Sequence, residues 1–220
     1  MYIVVEGPDG VGKTTFAKEL TKNLAIKGKQ VQFEYEPTRR HAPGIQIRES
    51  FVSPNGRLPT DQLIRLFNQD RALNYPYFEE LLKTSTIVSD RNYISSIAMQ
   101  VDGTFEGADK AGIEYKNLFQ PDLIIYLKAP LEVCRARILS NRGVFDNMED
   151  YDYQKTVHAN YEKFFSQVDQ NGLLHVPGIN TSIHVEVFDT ETDAVRLDFK
   201  EAFKAYANYL EKYYEQDRRS

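Results

Sequence analysis

Apolar positions along the chain follow two different periods. Tyr2-Ile3-Val4-Val5, Val31-Gln32-Phe33-Glu34-Tyr35, Thr86-Ile87-Val88-Ser89, Leu123-Ile124-Ile125-Tyr126-Leu127 and Ile183 to Phe188 are runs of strand length, rich in β-branched and aromatic residues. The 123–127 run is apolar throughout, which predicts a central strand buried on both faces. Between the runs the period becomes helical. Phe16, Leu20 and Leu24 recur every four residues with Ala17 beside them, and Gly28 reads as a stop, which predicts a helix of roughly 14 residues. Further helices are predicted over Ile45 to Val52 and from Pro59-Thr60-Asp61, where Leu63, Leu66, Phe67 and Leu73 mark an inward face. Pro76 is expected to kink or split that helix before Tyr77 to Leu82. Others are predicted over Tyr93 to Gln100, near Asp109 to Phe119, from Pro130 onward, over Tyr151 to Val168 and over Thr190 to Tyr214. The segment 172–181 yields no clear element.

Strand, helix, strand implies parallel strands and right-handed crossovers. The expected fold is therefore α/β, a three-layer α/β/α sandwich on a five-stranded parallel sheet. The first βα junction sets its type. Gly7-x4-Gly12-Lys13-Thr14 follows a strand and opens a helix, which is the context of the Walker A phosphate-binding loop. Glycines let successive N–H groups turn inward on phosphate oxygens, and the helix adds the positive end of its dipole. Gly7, Asp9, Gly10, Val11, Gly12, Lys13, Thr14 and Thr15 are the candidate ATP-binding residues. Lys13 would reach the β- and γ-phosphates and the Thr14 hydroxyl would hold Mg²⁺.

Composition narrows the class. The 220 residues are 41% hydrophobic and 12% aromatic, as in a globular domain, and the net charge is −5 with no long basic run. No nucleic-acid or membrane surface is expected, so phosphate affinity must be local. The single cysteine, Cys134, excludes an internal disulfide and falls on an apolar helical stripe with Leu131, Val133 and Ile138, where packing outweighs chemistry. No apolar run reaches membrane-spanning length, and the chain starts directly on a strand, so no signal peptide is expected. One cytoplasmic domain over 1–220 is expected.

Other residues cluster where parallel strands end, the edge at which open α/β sheets bind ligands. Arg39 and Arg40 follow the second strand and could clamp an anion or form an exposed basic turn. Phe67 and Arg71 project from one helix face, as a ligand-binding pair would, although by pattern alone a core phenylalanine with a surface arginine fits better. Asp90 ends the third strand and reads as the second Mg²⁺ partner, direct or through water, with Arg91 beside it to meet a phosphate; an Asp N-cap with a solvated arginine is the alternative. Arg137, Arg142 and Gly143 between two helices suit a lid over about 137–150, and an ordinary charged helix end would look similar.

Four segments together resemble the thymidylate kinase family. Glu6-Gly7-Pro8-Asp9-Gly10-Val11-Gly12-Lys13-Thr14-Thr15 is similar to its EGxDGxGKTT opening, and Leu66-Phe67-Asn68-Gln69-Asp70-Arg71-Ala72 to its LFxxDRA segment. Asp90-Arg91-x4-Ser96-x-Ala98-x-Gln100 resembles DRYxxSxxAYQ, and Arg142-Gly143-x2-Asp146-x2-Glu149 resembles the lid pattern RGxxDxxE. The resemblance implies transfer of the γ-phosphoryl group of ATP to dTMP, with Mg²⁺, in a homodimer. It implies that Phe67 stacks on thymine, that Arg71 bonds its exocyclic oxygen and that Ser96 meets the N3 edge, with Met99 and Gln100 beside it. Arg39 and Arg91 would hold the acceptor phosphate, and Asp9 would face the sugar 3′-hydroxyl and the reacting phosphate. Gly10 occupies a position that is basic in some members, so the lid would supply catalytic charge through Arg142 first and Arg137 second. Three positions depart from the pattern: Asn92 and Met99 replace aromatic residues, and Asn147 replaces a basic one. The expected acceptors therefore extend to dUMP or a modified pyrimidine.

Two other functions fit parts of the sequence. A deoxynucleoside kinase of the same fold would use Glu36 of Glu36-Pro37 as a general base toward a 5′-hydroxyl. A non-catalytic nucleotide sensor would keep the loop without turnover; intact Lys13, Thr14 and Asp90 argue against it.

Overall fold

The computed structural model describes residues 1–26, 29–142 and 150–190, the Arg142 side chain excepted. The expected stop at Gly28, the lid residues 143–149 and the terminal helix beyond Thr190 lie outside the described residues.

Among the described residues six strands form one sheet in the order β2-β3-β1-β4-β6-β5. β1 (Tyr2–Glu6) is central and pairs in parallel with β3 (Thr86–Asp90) and β4 (Leu123–Lys128). Outside them, β2 (Val31–Tyr35) pairs with β3 and β6 (Ser182–Asp189) with β4, again parallel. β5 (Leu173–His175) runs antiparallel to β6, with Leu174 opposite Ile183. The five expected strands are all present and parallel, and β5 adds a sixth, antiparallel strand to them. A three-residue strand is too short to show a period, and the connection to β6 is of hairpin length, which permits only an antiparallel pair.

The pleat explains why the inner strands are apolar throughout. Ile3 and Val5 of β1 pack with Phe16, Leu20 and Leu24 of α1 (Lys13–Ile26) and with Cys134 of α6 (Leu131–Arg142). Tyr2 and Val4 point the other way, toward Phe78, Leu81 and Leu82 of α3 (Thr60–Thr84). The largest apolar cluster joins α4 (Tyr93–Gln100), α5 (Phe105–Ala111) and α7 (Tyr151–Phe165) to Ile124, Tyr126 and Ile183. Helices thus cover both faces, as a parallel sheet requires. Cys134 is buried as expected.

Two helices differ from expectation. α5 begins at Phe105, where the Thr104 hydroxyl accepts from the Gly107 N–H, and ends at Gly112, a left-handed cap at φ 72°. The polar stretch read as a loop is a helix start, and 113–119 is not helical. α3 runs through Pro76 as one helix, so of the expected kink or split the split does not occur. One lost hydrogen bond is outweighed by apolar burial on either side, Leu63, Leu66 and Phe67 before the proline and Phe78, Leu81 and Leu82 after it. α2 (Ala42–Phe51) lies between β2 and α3.

Candidate active site

The carboxyl ends of β1, β2 and β3 lie flush, with Tyr35 and Val5 both in register with Asp90. From β1 the chain turns through 7–12 into α1. Gly10 and Gly12 sit at φ +82° and +102°, a region open to glycine. A Cβ on Gly10 would lie 2.3 Å from the Cys134 carbonyl oxygen, so the backbone of α6 excludes a basic side chain here. The Lys13 ammonium is buried and donates to the Pro8 carbonyl at 2.7 Å, with Asp9 Oδ1 3.7 Å away. Burial, and then the Arg91 charge, lower its pKa. Val11 is buried and Thr15 exposed. The Thr14 hydroxyl donates to Asp90 Oδ2, while the buried Asp90 Oδ1 has no hydrogen-bond partner among the described residues. A hydroxyl and a half-satisfied carboxylate, converging beside a phosphate loop, form an oxygen-donor set suited to Mg²⁺.

Arg91 follows at φ 78°, a conformation that costs a residue with a Cβ about 1–2 kcal/mol. Its side-chain contacts fix it there. Nη1 donates to Ser95 Oγ at 2.8 Å and to the Tyr161 hydroxyl at 2.9 Å, and Nη2 donates to Asp9 Oδ1. Beneath lies Glu6, fully buried, accepting from the Asn92 N–H at 2.9 Å, the Ser95 hydroxyl at 2.8 Å and the Tyr161 hydroxyl at 2.9 Å. Burial raises the Glu6 pKa, and Arg91 with these donors opposes the rise. Sequence reasoning singled out neither Glu6 nor Ser95 nor Tyr161. An acidic residue ending an apolar strand was a usable signal for Glu6; Tyr161, on α7, offered none.

A cleft of about 1450 Å³ opens beside this loop, walled by the end of β2, α2, the 52–54 turn, α3 and α4. Asp9, Arg39, Phe67, Arg91, Ser96, Met99 and Gln100 all line it. Arg71 is no surface arginine, as the pattern alone read it: 6% exposed, it links three elements. Its Nε donates to Glu36 Oε2 at 2.8 Å, its Nη2 to Ser96 Oγ at 2.7 Å, and its guanidinium lies 5.2 Å from the Phe67 ring centre. Burial raises the Glu36 pKa and Arg71 counters it. Gln100 Oε1 is a buried acceptor with no partner among the described residues.

The paired arginines part company. Arg39 lines the cleft, whereas Arg40 Nη2 donates to both Glu34 oxygens at 2.7 Å and its guanidinium stacks 4.0 Å over Tyr77. The two-arginine clamp is thereby reduced to one. Its place beside Arg39 is taken by Arg48, which sequence reasoning missed: it lines the cleft 4.7 Å over the Tyr35 ring, with Nε donating to the Pro37 carbonyl at 2.9 Å. Arg137 lies on the loop's other flank, donating to Thr190 Oγ1 and O at 2.9 Å each, while Thr190 donates to the Val11 carbonyl at 3.3 Å. The Tyr153 hydroxyl donates to the carbonyl of the cleft-lining Met99 at 2.9 Å, and the Arg57 guanidinium lies 4.6 Å from the Tyr153 ring centre.

The arrangement can cradle a triphosphate and bring a second anion to it, with Asp9 touching both halves. The family model for thymidylate kinase matches residues 5–177. A protein described as "Probable thymidylate kinase" from Methanococcus maripaludis (strain C7) is 32% identical over 202 residues, covering 88% of this chain and 94% of its own. A "Thymidylate kinase" from Brachyspira hyodysenteriae is 31% identical over 182 residues, 79% of this chain and 83% of its own. The solved structure of a Candida albicans thymidylate kinase superposes with a TM-score of 0.68 at 20% identity, covering 94% of this chain and 92% of that one, a likeness of fold.

Proposed function

The chain belongs to the thymidylate kinase family, and we propose that its phosphate loop takes ATP while the adjoining cleft takes dTMP. It is an ATP-dependent kinase that transfers the γ-phosphoryl group to dTMP, giving dTDP and ADP. The observation that carries the division of labour is Asp9. It belongs to the ATP loop, yet its carboxylate is bonded to Arg91, which lines the acceptor cleft.

In this reading the N–H groups of 7–15 and Lys13 bind the triphosphate. Thr14 and Asp90 hold Mg²⁺, which when bound neutralises phosphate charge. Phe67 stacks on the pyrimidine, Arg71 donates to its exocyclic oxygen, and Ser96 and Gln100 meet the N3 edge, with Met99 on the sugar side. Arg39 and Arg91 hold the acceptor phosphate, and Arg48 stands beside them. A phosphate monoester is already largely anionic at neutral pH, its second pKa being near 6, so an acceptor oxygen attacks Pγ without a general base as the bond to the ADP oxygen breaks. The residues therefore position, neutralise and exclude water. Arg142 and then Arg137 supply lid charge to the transition state, in a single 1–220 domain whose lid spans about 137–150. The protein acts as a homodimer in the cytoplasm. Among the described residues no helix is long and apolar enough to cross a membrane.

Glu36 is engaged by Arg71 at 2.8 Å, a structural role rather than that of a base toward a hydroxyl. The deciding experiment is ADP release with ATP and Mg²⁺ against dTMP, dUMP, dCMP, dGMP, UMP and thymidine. dTMP is expected to give the highest kcat/KM. Preference for thymidine would return Glu36 to the role of base.

A further inference from the structure

Behind the Glu36–Arg71 pair lies a second, smaller cavity of about 40 Å³, whose lining includes Tyr2, Glu36, Arg71, Asn92, Tyr93 and Phe119. Tyr35 and Glu36 also line the acceptor cleft, so the two spaces share a wall. The rings of Tyr75 and Phe119, stacked 4.3 Å apart, also line it. Asn92 is 2% exposed and stands where the family pattern has an aromatic side chain, whose larger bulk would take up such a space. Its Oδ1 is occupied, accepting from the Ile94 N–H at 2.9 Å as the cap of α4. Its Nδ2 and the Nη1 of Arg71 are buried donors without a hydrogen-bond partner among the described residues. Two orphan donors and the Glu36 carboxylate on one small cavity are costly to leave dry. The volume suits a water or a group that reproduces its bonds.

We propose that this cavity extends the acceptor-base pocket and takes a hydroxyl-bearing substituent on the 5-position of a pyrimidine deoxynucleotide, making 5-hydroxymethyl-dUMP an acceptor alongside dTMP. The inference rests on the base-binding reading above. With Arg71 on the exocyclic oxygen, the neighbouring ring position carries the 5-substituent beside Arg71, next to Glu36 and Asn92. A hydroxyl there accepts from Asn92 Nδ2 and donates to Glu36, whereas the methyl of dTMP leaves the Asn92 donor to water.

The test compares kcat/KM for dTMP, 5-hydroxymethyl-dUMP and its apolar near-isostere 5-ethyl-dUMP in the wild type, Asn92→Ser and Asn92→Tyr. Folding of each variant is checked by thermal midpoint. One buried hydrogen bond of about 1.4 kcal/mol makes the wild type favour hydroxymethyl over ethyl by about tenfold. Asn92→Ser keeps a capping hydroxyl and removes the amide donor, so that ratio falls toward unity while dTMP turnover stays within about threefold. Asn92→Tyr fills the space and depresses both enlarged acceptors relative to dTMP. A wild-type ratio at or below unity, or a ratio that neither variant moves, overturns the extension alone. Failure of the wild type to phosphorylate dTMP overturns the base-pocket reading and the extension with it.

Discussion

Arg71 and Arg91 are each held by several hydrogen bonds before any substrate arrives, so their geometry is prepaid by folding. Arg71→Ala is expected to lower kcat/KM for dTMP by about a hundredfold, mainly through KM, because a lost donor to a buried polar group weakens binding. The same change leaves Glu36 buried without its cation at 2.8 Å, and a stability loss of about 3 kcal/mol is expected from urea unfolding. A pure KM effect with unchanged stability would show that Glu36 does not depend on Arg71. Arg142→Ala is expected to lower kcat about 10³-fold with little change in ATP affinity, as loss of a transition-state arginine does. Near-normal turnover in that variant would remove it from the chemistry.

Helices α3 and α7 carry the next pair of expectations. α3 tolerates Pro76 in its interior, so Pro76→Ala restores a helical N–H where the backbone is already helical. Stability should rise by about 1–2 kcal/mol, and the thermal midpoint by several degrees. A fall would mean that the proline imposes a bend that packing uses. On α7, burial lowers the pKa of His158 from its usual 6.5; Glu162 opposes the shift and Lys13 adds to it. The unfolded chain then binds more protons below pH 6.5, so this contribution is complete above that value and is lost as pH falls from it toward the folded pKa. His158→Gln should flatten the fall of thermal midpoint on acidification below pH 6.5. An unchanged slope would assign that acid sensitivity to other groups.

At the scale of the whole molecule, the metal site and the fold are separable. Thr14 and Asp90 sit at the cleft and outside the apolar clusters, so chelating Mg²⁺ is expected to abolish turnover while leaving the thermal midpoint of the nucleotide-free protein unchanged. Coupled loss of both would make the metal structural. What the sequence determined by itself is whatever local chemistry encodes. The glycines at 7, 10 and 12 specify a loop that few other residues can adopt, the apolar run of β4 specifies a central strand, and helical spacing places Phe67 beside Arg71. Short elements escaped it: three residues of β5 show no period, and the Thr104 cap resembled a loop. The tertiary structure alone decided which polar groups became partners. Tyr161 reaches Glu6 across 155 positions, Arg71 reaches Glu36 and Ser96, and Arg40 turns to Glu34 while Arg39 faces the cleft. Steric preference and period act between neighbours and are legible in order along the chain. Pairing of buried charges depends on how the topology brings distant elements together, and no local pattern records it.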